Sequence, residues 1–97
     1  MKNSSTTSRN KARYKVVFRK SVAKDLRGIP GPDVRRILRA INALAEVPRP
    51  AGSEKLSGKE RYRLRQGDYR ILYEILEAEV IVVVVKVGHR REVYRHE

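Results

Sequence analysis

The chain has 97 residues, no cysteine and two histidines. That length is one domain's worth of chain, and the composition excludes a disulfide scaffold, a thiolate zinc site, a cysteine nucleophile and an all-histidine metal site. Lys and Arg number 23 against 11 Asp and Glu, a net charge of +12, while 40% hydrophobic residues suit a folded chain rather than a disordered one.

The first thirteen residues hold Lys2, Arg9, Lys11 and Arg13 and no acid. The other 84 residues still carry 19 basic against 11 acidic side chains, so +8 belongs to the body of the protein. Such a surface attracts polyanions, nucleic acid first among them. No helix pairs a basic face with exposed bulky apolar residues, so a membrane surface is not the expected partner. The longest apolar run, Val80 to Val85, has six residues, against about 18 for a membrane span. The N-terminus has no apolar signal core, and the expected location is the cytoplasm.

Residues 1–13 lack apolar periodicity and read as a disordered basic extension; residues 14–97 read as a single domain. Tyr14 to Phe18 is rich in β-formers and predicts a first strand. Ser21 predicts an N-cap, with Val22 and Leu26 on one helical face. Gly28 and Pro30-Gly31-Pro32 break that helix, and Pro32 predicts the first position of a second. Val34, Ile37, Leu38, Ile41, Leu44 and Ala45 form its apolar stripe, ended by Pro48 and Pro50. Ala51 to Glu60 reads as a polar loop.

Tyr62-Arg-Leu-Arg and Tyr69 to Leu76 flank Gly67-Asp68, a hairpin signal. With that turn, residues pair when their numbers sum to 135. Leu64 then faces Ile71 and Tyr62 faces Tyr73, on one side. Arg65 faces Arg70 and Arg63 faces Leu72, on the other. A slip of one residue would mix the two sets, so the register is self-consistent. Like charges directly opposite each other cost stability, and three arginines on one exposed surface suggest an anion to be held there. The plainer alternative is a solvated face.

Glu77 to Glu79 predicts a turn, and Val80 to Val87 a strand buried on both faces and lying centrally, closed by Gly88. The element order is β-α-α-β-β-β, an α+β fold with a helical hairpin packed on a small, twisted, mainly antiparallel sheet. Phosphodiester cleavage needs cations where charge builds, a proton acceptor and a proton donor. RNA can supply its own nucleophile, the 2′-OH, without metal or cofactor, and arginine grips phosphate with a bidentate fork. His89 and His96 are candidate acid–base groups; solvated histidines are the plainer reading. Tyr62 and Tyr73 read as core. Glu54 and Glu60 read as solvated loop acids, though a carboxylate there could serve as a base. No phosphate-binding glycine loop, dinucleotide motif or Ser-His-Asp set is present.

Tyr62-Arg-Leu-Arg-Gln-Gly-Asp-Tyr-Arg-Ile-Leu-Tyr-Glu-Ile and Val87-Gly-His-Arg-Arg-Glu-Val-Tyr94 resemble the RelE/ParE superfamily of toxin–antitoxin toxins, on the RelE side. The resemblance spans about residues 14–95. It implies a ribosome-dependent endoribonuclease that cuts mRNA in the A site by 2′-OH attack and stops translation. It also implies an acidic RelB-like antitoxin that silences the toxin. Arg63, Arg65, Arg70, Arg90 and Tyr94 match the family's catalytic positions: Arg70 for the phosphate and Tyr94 for the tyrosine proposed as base. Lys55, Lys59, Arg61, His89 and Arg91 are expected to touch RNA or the ribosome. Arg70 is expected on an exposed face, contributing little to the core. The alternatives are a ParE-like DNA gyrase inhibitor without nuclease activity and an inactive RNA-binding remnant.

Overall fold

The computed structural model describes residues 13–56 and 60–89. The expectations for residues 1–12 lie outside that set. Strand β1 (Lys15–Phe18) leads into helices α1 (Lys20–Arg27) and α2 (Gly31–Ala43). Strands β2 (Ser53–Lys55), β3 (Arg61–Gln66) and β4 (Tyr69–Leu76) follow; a 3-10 turn at Glu77–Glu79 then leads to β5 (Ile81–His89). The sheet order is β1-β5-β4-β3-β2. Only β1 and β5 run parallel; the other pairs are antiparallel. This is the α+β arrangement anticipated above, with one short strand added at β2, inside the expected loop. Three residues carry no alternation to read, and only pairing with β3 makes them a strand.

The helices form where apolar side chains recur at three and four residues, and both bury that stripe on one face of the sheet. Val22, Ile37, Ile41 and Leu44 meet Tyr62, Leu64, Ile71, Tyr73, Ile75, Val82, Val84 and Val87 in one core. Emptying such a site, as in Ile41→Ala, costs about 2–5 kcal/mol. Tyr62 and Tyr73 stack with ring centres 5.6 Å apart. The Tyr73 hydroxyl donates to the Pro48 carbonyl at 2.7 Å, and burial pushes its pKa up.

Several boundaries differ from the expected ones. Arg19, not Ser21, holds the cap position of α1, without a side-chain bond; Ser21 lies in the first turn. Pro30 caps α2, so Pro32 sits one residue deeper than expected. The helix stops at Ala43, but the turn that follows keeps Leu44 and Ala45 buried. Strand β5 starts at Ile81 because Val80 takes a left-handed conformation (φ 57) to close the preceding turn. A β-branched residue pays a steric cost there. Strand β5 is interior, between β1 and β4, but its two faces are not equally covered: Val82, Val84 and Val87 are buried, whereas Ile81, Val83 and Val85 are half-buried.

Arg49 fastens the loop after α2 to the sheet. It donates to Tyr62 Oη (2.9 Å) and Glu77 Oε1 (2.5 Å), and its guanidinium lies 5.3 Å from the Tyr62 ring centre. Tyr14 Oη donates to the other Glu77 oxygen at 2.9 Å. No helix among the described residues is long and apolar enough to cross a membrane.

Candidate phosphate-binding cleft

The hairpin register is the expected one: Arg65 pairs with Arg70, Leu64 with Ile71, Arg63 with Leu72 and Tyr62 with Tyr73. Alternation along a strand sends successive side chains to opposite faces. Tyr62, Leu64, Ile71 and Tyr73 therefore point under the helices, and Arg63, Arg65 and Arg70 share the face turned away from them, where Arg65 is exposed and Arg70 is buried. Glu54 joins that face because β2 pairs it with Arg63.

These residues and Gly52 line a cleft of about 280 Å³. Gly52 takes φ 94, and a Cβ there would meet nothing, so the turn rather than lack of space asks for glycine. Arg63 donates to Glu54 Oε1 at 2.6 Å; the arginine side chain is 18% exposed and the carboxylate 64%. That hydrogen bond, then the Arg63 charge, then Arg65 and Arg70 hold the Glu54 carboxyl below the usual carboxylate range. Glu54 is thus an anion at neutral pH. The cleft lining sets three guanidinium groups against one carboxylate.

Arg70 departs from expectation. It is 4% exposed, not on an open rim. Its strand is the middle one of five, and it sits between Arg65 on β3 and Gly88 on β5. Its Nη1 donates to the Tyr69 carbonyl at 3.3 Å. Arg65 is exposed and forms no ion pair among the described residues.

The other candidates scatter. Arg61 shares the open face but lies four residues from Arg65, about 13 Å along the strand. It is held by Glu74, with Nη2 at 2.5 Å and Nε at 3.2 Å, and Arg19 approaches the same carboxylate at 3.7 Å. Lys55 pairs in register with Tyr62, hence on the opposite face from the cleft, and bonds Glu60 at 3.2 Å. His89 pairs with Tyr69, ring edge against ring face at 5.9 Å, one residue out of step with Arg70. Lys59, Arg90, Arg91 and Tyr94 lie outside the described residues. Glu54 was readable in the sequence only as a loop acid. Its place beside Arg63 depends on the three-residue strand. Among the described residues no group of three His, Asp or Glu side chains is positioned to hold a metal ion.

A cleft of this kind can take a phosphodiester. Charge-assisted forks would hold the non-bridging oxygens, and a carboxylate stands nearby to accept a proton.

Residues 16–94 match the family described as ParE toxin of type II toxin–antitoxin system, parDE. Toxin RelG of Mycobacterium tuberculosis is 30% identical over 86 residues, covering 84% of this chain and 97% of RelG. The fold is similar to the archaeal RelE–RelB complex structure from Pyrococcus horikoshii OT3, with TM-score 0.73 and 31% identity over 80% of this chain and 96% of that one. It is also similar to isolated Escherichia coli RelE, with TM-score 0.69 and 26% identity over 86% of this chain and 93% of that one. A family match across most of the domain and RelE-type relatives over nearly their whole length converge: the chain belongs to the RelE/ParE family and is a RelE-like toxin of a type II toxin–antitoxin system.

Proposed function

We propose that this toxin is an endoribonuclease that cuts mRNA in the ribosomal A site and so stops translation in the cytoplasm. The observation that carries the reading is the cleft in which Arg63, Arg65 and Arg70 converge around one ionised carboxylate. The 2′-OH attacks the adjacent phosphorus and gives up its proton to a base, the bond to the 5′-oxygen breaks, that oxygen takes a proton from solvent, and the products are a 2′,3′-cyclic phosphate and a 5′-hydroxyl. Arg70, immobilised by burial, meets the charge that grows on the phosphoryl oxygens. Arg65 supplies a second, exposed cation. Arginine stays protonated above pH 12, so it stabilises charge and is no base. Glu54, ionised and exposed, can take the 2′-OH proton, although the arginines that hold its pKa down make it a weaker base than an ordinary carboxylate. The resemblance offers Tyr94 for the same task, with Arg90 as a further cation. Comparing Glu54→Gln with Tyr94→Phe decides between the two bases.

The cleft offers cations and one carboxylate but no strong base, so substrate positioning is asked of something outside it. The ribosome, by holding the mRNA, would supply that positioning, and naked RNA should be a poor substrate. Relatives crystallised as RelE–RelB complexes support an acidic RelB-type antitoxin as partner. It would cover the basic surface, with affinity falling as salt rises.

The test is primer extension on a translated mRNA with and without the protein. Stops within A-site codons are expected. DNA damage without mRNA cuts would place the chain with gyrase-poisoning toxins instead. Growth unaffected by expression without antitoxin would mark an inactive remnant.

A further inference from the structure

Strand β5 carries one residue more than its partner. From Leu76 to Tyr73 the paired numbers sum to 157, and from Leu72 to Tyr69 they sum to 158. Val85 is the extra residue, a β-bulge. The shift matters for the cleft. In an unbulged strand, Lys86 would face Ile71 in the core and Val87 would face Arg70. With the bulge, Val87 faces Ile71 and Gly88 faces Arg70. The residue paired across the ladder from Arg70 is therefore one without a side chain.

A bulge takes one residue, here Val85, out of the ladder. Past it β5 outruns β1, whose last pair is Phe18 with Val84, and a backbone group on that side is satisfied from α1. Asp25 Oδ2 accepts the Val87 N–H at 3.1 Å, and Asp25 Oδ1 takes the Lys86 ammonium at 3.2 Å. The Asp25 side chain is 14% exposed and Lys86 23%. One carboxylate thus engages the two residues that follow the bulge. The hydrogen bond ties α1 to Val87, one residue past the Leu72–Lys86 pair at which the ladder resumes. The ion pair keeps Lys86 out of the core.

We infer that Asp25 is a positioning residue for the cleft: from the helical hairpin it locks the bulged register that sets Gly88 against Arg70. The inference rests on the nuclease reading for its effect on rate, but not for its effect on register. Asp25 touches no substrate and acts through β5 and Arg70.

Three variants separate the parts. Asp25→Ala removes both contacts. Asp25→Asn keeps a carbonyl oxygen for the Val87 N–H and loses the ion pair. Lys86→Met loses the ion pair alone. Nuclear Overhauser contacts between Arg70 and Gly88 report the register, melting curves report stability, and single-turnover cleavage of ribosome-bound mRNA gives the saturating rate and half-saturating concentration. Asp25→Ala is expected to lose the Arg70–Gly88 contact and to cut about 10²-fold more slowly at saturation, as small misplacements at a site do. Half-saturation should be little changed. Asp25→Asn and Lys86→Met should keep the contact and most of the rate, although all three variants melt earlier. A merely structural role would lower melting temperature alike without splitting Ala from Asn in rate. The inference is overturned if Asp25→Ala keeps register and rate, or if Asn falls as far as Ala. Should Asp25→Ala not fold, amide exchange in the wild-type protein decides: Val87 protected like its ladder neighbours supports the lock, and Val87 exchanging like an exposed amide removes it. A wild-type protein that cuts nothing would sink the nuclease reading, and the register measurements would still judge Asp25.

Discussion

The open face of the β3–β4 hairpin has two ends built from the same residue type and treated oppositely. At one end Arg61 is clamped by Glu74, with Arg19 beside it. At the other, Arg63, Arg65 and Arg70 share a cleft in which Glu54 is the one carboxylate among the described lining residues. Strand spacing puts Arg61 about 13 Å from Arg65 along β3. The contrast is sharpest between Arg61, tied to Glu74, and Arg65, which is exposed, lies directly opposite Arg70 and forms no ion pair among the described residues. On the function proposed above, the second end is the place for an anion and the first is part of the scaffold.

The largest effect should come from the buried member of the charged end. Arg70→Ala is expected to slow cleavage of ribosome-bound mRNA by about 10²–10³-fold, the usual consequence of removing one donor to a developing oxyanion. Because Arg70 is buried, its variants need melting curves beside the kinetics. Arg70→Lys should recover only part of the rate, since a point charge does not reproduce the fork. Wild-type cleavage by Arg70→Ala would remove the catalytic assignment.

Glu54→Gln comes next, at about 10²-fold or more if Glu54 is the proton acceptor. Its carboxyl is held below the ordinary range by Arg63, so the base form persists as the medium is acidified. Single-turnover rates should therefore be insensitive to Glu54 protonation between pH 7 and about 5. A Tyr94→Phe variant slowed by about 10²-fold or more, with Glu54→Gln cutting at the wild-type rate, would move the base to Tyr94.

The two ends can be compared directly along β3. Arg65→Ala should weaken cleavage about tenfold, the loss of one phosphate contact worth about 1.4 kcal/mol. Arg61→Ala should change the rate little and lower the melting temperature slightly, because its guanidinium is engaged by Glu74. Equal kinetic losses at both positions would erase the distinction between site and scaffold.

How much of this was legible in the sequence differs by element. The hairpin register was, because Leu64 and Ile71 alternate with arginines around a Gly-Asp turn and a slip would bury charge. The helix stripe over Val34 to Ile41 was, for the same reason at another period. Arg70's burial was not: it follows from β4 being the middle strand, and strand order depends on which distant segments pair. Glu54's place was hidden in a three-residue strand with no pattern of its own. The bulge at Val85 was hidden inside a run of valines, where a register shift leaves no trace in hydropathy.

The smallest effect lies away from the cleft. Glu77, bonded by Arg49 and Tyr14, has its carboxyl held down, chiefly by the Arg49 hydrogen bond. A folded-state pKa below the unfolded value of about 4.3 means its stabilisation is complete above that pH. It is lost as pH falls through the folded value. Melting temperature should thus be unaffected by this group between pH 7 and 5 and should fall below about 4.3. Glu77→Gln should reduce that acid-side fall, and an unchanged acid limb would show that the clamp contributes nothing.

The central claim is that this cleft lets RNA cut itself. The most direct measurement places a single 2′-deoxynucleotide on the 5′ side of the scissile phosphate in ribosome-bound mRNA and follows single-turnover cleavage by the wild-type toxin. The account predicts no cut at that position, and a 2′,3′-cyclic phosphate in the all-ribose control. Cleavage at an undiminished rate through the deoxy position would contradict it.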